Sequence, residues 1–309
     1  MKKLIIITII LLSVSISKAC DICGCGVGGY YIGLLPDFNK RFMGLRYQYS
    51  RLTTQLDIDG NHTALSRDEK YNSMELWGAW NIGDRWRILG IIPYNFNERY
   101  TNGSDLLQKK SGLGDIVLNS YYKLFEKMNT TSSNKLLVQT LWLGAGIKIP
   151  TGEYDVVEQQ NTNGNSPNIF QLGTGSVDFM ANLMYDIRIQ DFGINTNATY
   201  KFNSINKDDY HYGNKLMANT TFYYKIALGA NMRIAPNLGI AYENQQHDRT
   251  MGYKIEETGG NILNGTIGAE VNLNRVSFGV TYQNPLSQNL AQGRIKADNK
   301  FLAHVSFSF

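Results

Sequence analysis

Between residues 216 and 234 nearly every even position is apolar, from Leu216, Ala218 and Phe222 through Ile226 and Leu228 to Met232 and Ile234. The odd positions carry Asn219, Thr221, Lys225, Asn231 and Arg233 instead. Period two gives a strand one oily and one wet face, whereas a helix of this sequence would spread its polar groups round the whole cylinder. At ~3.3 Å per residue the run extends roughly 60 Å, far beyond the five or six residues usual in a globular strand. Tilted by ~40°, it crosses a ~25 Å apolar band with length to spare. The stretch predicts a membrane strand that turns at Ala235-Pro236-Asn237, with Ile226, Leu228 and Ala230 toward lipid and Lys225 and Arg233 inside.

The same alternation recurs from Arg41 to Phe309 and predicts an all-β fold, a transmembrane antiparallel up-and-down β-barrel of about 12 strands. Short turns are predicted near Gly83, Lys127, Gln190, Ala235 and Asn274. Longer connections fall near Asn61, Gly103, Gly164, Asp208, Thr250 and Ala291, and the Asn/Gln/Gly-rich residues 153–168 have no apolar period. Short turns belong to the periplasm and long loops to the outside, so both termini are expected in the periplasm. A soluble sandwich also alternates, but strands this long are unusual in one. The abundance of Tyr and Phe, 19 and 13, matches the interfacial girdles of a barrel.

The chain begins like a secretory signal, with Lys2 and Lys3 ahead of an apolar core at residues 4–12 and Ser17-Lys18-Ala19 as a small-x-small cleavage site. This divides the chain into residues 1–19 as signal peptide, 20–39 as a Cys/Gly-rich leader or plug, and 40–309 as a barrel in the bacterial outer membrane. A net charge of +4 with scattered basic residues calls for no nucleic acid.

Cys20, Cys23 and Cys25 are the chain's three cysteines. Their spacing suits Cu(I) or Zn(II), while the oxidising periplasm equally favours a Cys20–Cys23 disulfide. Lipidation of Cys20 is a further alternative. His304 and Ser306 share a strand face, but no local motif marks a nucleophile, and no enzymatic activity is expected.

Three segments, Gly112-Leu113-Gly114-Asp115, Lys148-Ile149-Pro150-Thr151-Gly152 and Leu172-Gly173-Thr174-Gly175-Ser176-Val177-Asp178, resemble the MetA-pathway of phenol degradation family of outer-membrane barrels, akin to fatty-acid and aromatic-hydrocarbon transporters. The cysteine cluster is a departure from that family. The resemblance implies a channel or transporter for small molecules in outer-membrane lipid, with no particular substrate. A structural or surface-exposed barrel is the alternative. Phe309 at the end of an oily strand resembles the signal that the barrel-assembly machinery recognises. Inward parity places Asp115, Lys148 and Asp178 on three consecutive strands as a charged constriction, and points Arg87 and Arg188 into the same lumen.

Overall fold

The structure, a computed structural model, describes residues 40–102, 107–161 and 168–309. The cysteines and the rest of the 20–39 leader lie outside the described residues, as does the signal segment. Twelve antiparallel strands close into a barrel. They are β1 (Phe42–Thr54), β2 (Arg67–Ile82), β3 (Trp86–Thr101), β4 (Leu107–Leu113, resuming at Ile116–Thr130), β5 (Leu136–Ile149) and β6 (Asp178–Ile189). The second half comprises β7 (Phe192–Phe202), β8 (Lys215–Tyr224, resuming at Ile226–Leu228), β9 (Met232–Gln245), β10 (Gly260–Leu273), β11 (Val276–Leu290) and β12 (Lys300–Ser308). Pairing of Phe42 with Ser308 and of Tyr49 with Phe301 seals β1 against β12. Closure leaves no lipid-facing strand without a partner at the level of this seam.

Alternation sets which face meets lipid. Val305, Leu45, Leu76 and Ile92 lie opposite one another on β12, β1, β2 and β3, all exposed on the outer surface. Arg46, Glu75 and His304 on the alternate positions are buried inside. Aromatic side chains mark the band's limits. At the short-turn end the Trp80 and Phe309 rings are 5.6 Å apart and the Trp86 and Tyr122 rings 5.0 Å. Toward the long-loop end Tyr47 stacks on Phe96 at 6.5 Å. No helix among the described residues is long and apolar enough to cross a membrane.

The register of 216–228 agrees with its alternation, since Leu216, Phe222, Tyr224 and Leu228 are exposed and Met217, Thr221 and Tyr223 buried. The turn does not fall at Ala235-Pro236-Asn237. It lies at residues 229–231, where Gly229 takes φ +78°, and Ala230 belongs to it rather than to the lipid face. Leu228 pairs with Met232 and Ile226 with Ile234, so even positions face outward on both arms and the alternation runs through the turn without a break. Pro236 sits inside β9, where its missing N–H coincides with the interruption of β8 at Lys225. Arg233 keeps the inward parity at the exposed rim.

The long connections fold over the opposite end. Residues 153–168 are not wholly irregular: Val156–Asn161 forms a short helix, α1, and Asp155 Oδ1 accepts from the Glu158 N–H at 3.2 Å as its cap. A small sheet of Tyr210–His211, Arg249–Thr250 and Tyr253–Lys254 stands beside it. Tyr210, Tyr212 and Ile255 pack there with Tyr154, and the Tyr212 hydroxyl donates to the Asn168 carbonyl at 3.0 Å.

Candidate functional site: a loop anchored inside the barrel

Strand β4 breaks at Gly114-Asp115, where the Gly114 N–H still donates to the Pro93 carbonyl at 2.8 Å. The break frees Asp115 to turn inward. Its Oδ2 lies 2.8 Å from Lys148 Nζ, and Asp178 Oδ2 is also 2.8 Å from that ammonium. Lys201 approaches Asp178 from the next strand at 4.0 Å. The carboxylates do more than balance charge. Asp115 accepts backbone N–H groups from Gly152 at 3.1 Å and Thr174 at 2.9 Å, and Asp178 accepts from Ser176 Oγ at 2.8 Å and the Ser204 N–H at 3.1 Å. The Thr174 hydroxyl also contacts Lys148 Nζ.

These bonds join all three motif segments into one knot that fixes the stem of residues 172–176. The motif glycines follow from its tightness. A Cβ on Gly152 would lie 2.7 Å from the Leu172 carbonyl oxygen, and one on Gly173 would lie 2.6 Å from that of Gly152. Asn95 Nδ2 donates to the Leu172 carbonyl at 3.2 Å and steadies the same stem from β3. Asp115, Lys148 and Asp178 are all buried, so the knot is covered by the loop it holds rather than facing an open bore.

The tip of the loop crosses the barrel. Ile169 and Phe170 are buried against Leu52 and Tyr71 of β1 and β2 and against Ile262 and Leu290 of β10 and β11. Arg99 stacks over the Phe170 ring at 4.1 Å while pairing with Glu69 at 2.7 Å and with Glu158 of α1 at 2.5 Å. Lys110 and Asp155 close the outer edge at 2.7 Å. Burial works to raise the Asp155 carboxyl, but the Lys110 ammonium and the backbone N–H groups of Glu158 and Val157 outweigh it and hold it below the ordinary carboxylate range.

Arg87 and Arg188 do not join this site. Both point inward near the short-turn end, Arg87 donating to Asn81 Oδ1 at 3.1 Å and to the Lys40 carbonyl at 3.3 Å, and Arg188 to the Gln190 carbonyl at 3.2 Å. Inward parity fixes a face and says nothing about height along the axis. Phe170 was not singled out from the sequence. Its available signal is an apolar Ile-Phe pair in an otherwise polar loop, two residues before the Leu172-Gly173 motif.

Below the loop the inner wall is two-sided, and both sides are packed and buried. Phe42, Trp77, Leu89, Ile91, Tyr121 and Trp142 form one apolar cluster on the inner faces of β1 to β5. Across from them β7, β8, β9 and β11 turn inward Asn195, Thr199, Thr221, Asn237, Ser277 and Thr281.

Several solved structures are similar to this chain. An outer-membrane channel of Pseudomonas putida F1 superposes with TM-score 0.58 at 14% identity, covering 89% of this chain and 98% of its own. The β domain of the Bordetella autotransporter BrkA gives TM-score 0.49 at 14% identity, over 87% of this chain and 100% of that one. A FadL homologue of Pseudomonas aeruginosa gives 0.37 at 12% identity, over 88% and 91%. No curated protein matches the sequence. Residues 70–285 match the family described as "Putative MetA-pathway of phenol degradation", and the chain belongs to that family.

Proposed function

We propose that the protein is a channel for small molecules in a bacterial outer membrane, with its short turns and both ends of the barrel chain in the periplasm. The observation that carries this reading is the two-sided inner wall. Transmembrane barrels ordinarily line their interior with polar groups. Here Trp77, Tyr121 and Trp142 share one inner wall with Leu89 and Ile91, facing amides and hydroxyls. These side chains are packed and buried, so a path opens only where they part; once parted they offer apolar contact and hydrogen bonds together, which favours a solute with an apolar body and a polar edge. The Pseudomonas putida channel, similar in fold, agrees with this reading.

The anchored loop narrows the bore at its outer end, and the Asp115–Lys148–Asp178 knot serves the channel by holding that loop. Reconstitution tests the proposal. Relative to protein-free liposomes, the protein should raise uptake of benzoate at neutral pH, where its charge bars it from the bilayer, by more than it raises uptake of a sugar of similar size, and planar bilayers should show discrete conductance. Absence of both in a folded, heat-modifiable protein would favour the purely structural barrel.

A further inference from the structure

The apolar ring that receives the loop tip gives way to polar side chains just beneath it. Ile262 on β10 and Tyr71 on β2 belong to the cluster that holds Ile169 and Phe170. The next inward position toward the short-turn end is Asn264 on β10 and Ser73 on β2. Asn264 is wholly buried, and neither its Nδ2 nor its Oδ1 has a hydrogen-bond partner among the described residues. Register explains why. Its cross-strand neighbours are Ala241 on β9 and Pro285 on β11, and neither carries a polar side-chain atom. The carboxylate of Glu243, one inward position above Ala241, is taken by Lys215 at 2.7 Å and Lys300 at 2.9 Å.

Two further observations fall at the same level. Leu263 pairs with Ser287 but Asn264 with Pro285, so β11 bulges at Leu286 directly beside the amide. Bulges recur where a strand must re-aim a side chain toward a site. Ser73 Oγ, across the bore, is also buried without a partner among the described residues. Buried amides are paired almost without exception, because an unmade bond costs the full desolvation of the group. Asn264 presents a donor and an acceptor side by side, so one molecule carrying an acceptor and a donor on a single edge satisfies both. A carboxylate only accepts and leaves Oδ1 unpaired, and an apolar ring satisfies neither half.

We propose that Asn264 is the polar contact of a solute site beneath the loop tip, whose ligand is a small uncharged molecule with a donor and an acceptor adjacent on one edge of an apolar body, as in a primary carboxamide. Tip and solute share one space. Phe170 gives way, the apolar body lies against Ile262 and Leu290, and the polar edge closes a two-bond ring with the Asn264 amide. The assignment deepens the channel reading and rests on it, because a buried site needs a route through the bore.

Benzamide and acetophenone have nearly the same shape, and only benzamide carries an N–H donor. Their binding to the full chain in detergent is titrated by saturation-transfer NMR, which requires no conduction. Wild-type protein should prefer benzamide about tenfold, the worth of one buried hydrogen bond. Asn264→Ala and Asn264→Leu, one smaller and one bulkier, should bind both ligands equally. Phe170→Ala should tighten benzamide, since the tip no longer competes for the space. Equal affinities in the wild type would overturn the proposal, as would a preference that survives in either folded Asn264 variant. A barrel that keeps the preference but passes no current loses the channel reading and keeps this site, whereas one that conducts without the preference keeps the channel and loses the site.

Discussion

Gly173 and Asp115 are in such close contact that a Cβ on the glycine would sit 2.4 Å from Asp115 Oδ1. Gly173→Ala must therefore displace the carboxylate or the Gly152 backbone behind it. Overpacking of this kind costs about 1–3 kcal/mol. The expected outcome is a folded barrel with a loosened loop, seen as faster proteolysis within residues 150–177 and a lower urea midpoint. An unchanged cleavage rate would show that the stem is not held as described.

Lys148 carries the complementary prediction. Lys148→Met leaves buried Asp115 without its cation and Asp178 with only Lys201 at 4.0 Å, and should destabilise the protein by about 3–5 kcal/mol. Adding Asp115→Asn and Asp178→Asn removes the stranded charges, so the triple variant should recover part of that loss. Equilibrium unfolding of the three proteins in lipid decides it, and a triple variant no more stable than Lys148→Met would contradict the electrostatic account.

Phe170→Ala should leave the barrel intact and widen its outer end. The prediction is higher single-channel conductance and faster uptake, with Asp115 and Lys148 still paired. Conductance identical to wild type would place the tip outside the path.

The barrel was legible in the sequence because period two is enforced independently on every strand by lipid on one side and polar side chains on the other. Parity also identified Lys148 as lying between two inward carboxylates. It failed at the turn after Leu228, where even positions pair with even positions and the pattern carries no mark of the reversal. Gly229 was the available signal. The loop was hidden for a different reason. Residues 168–176 fold inward through bonds to Asp115 and Asn95, which are distant in sequence, and no local periodicity records such contacts.

The corrected turn is itself testable. In a background lacking the native cysteines, a cysteine at Ala230 should react with a membrane-impermeant maleimide offered at the short-turn end. One replacing Phe222 should be shielded by lipid. Equal labelling of both positions would refute the register.

Acid should loosen the outer edge of the loop first. The lowered Asp155 pKa means that its pairing with Lys110 supports the fold fully above the ordinary carboxylate value of 3.8, and that this support is lost as pH falls below it through the depressed folded-state value. Hydrogen exchange in α1 should accelerate over that window in the wild type. In Asp155→Asn it should already be fast at neutral pH, and a variant with the wild-type profile would exclude Asp155 as the cause.

A loop clamped at its stem and apolar at its tip separates two tasks that a single wall residue would have to share. The stem answers to the folding of the barrel, since its glycines and carboxylates admit almost no substitution. The tip answers to the apolar cluster it fills, which is closed to larger residues. Exchange of residues 169 and 170 for smaller ones therefore alters what is admitted while the strand pairing that closes the barrel is kept.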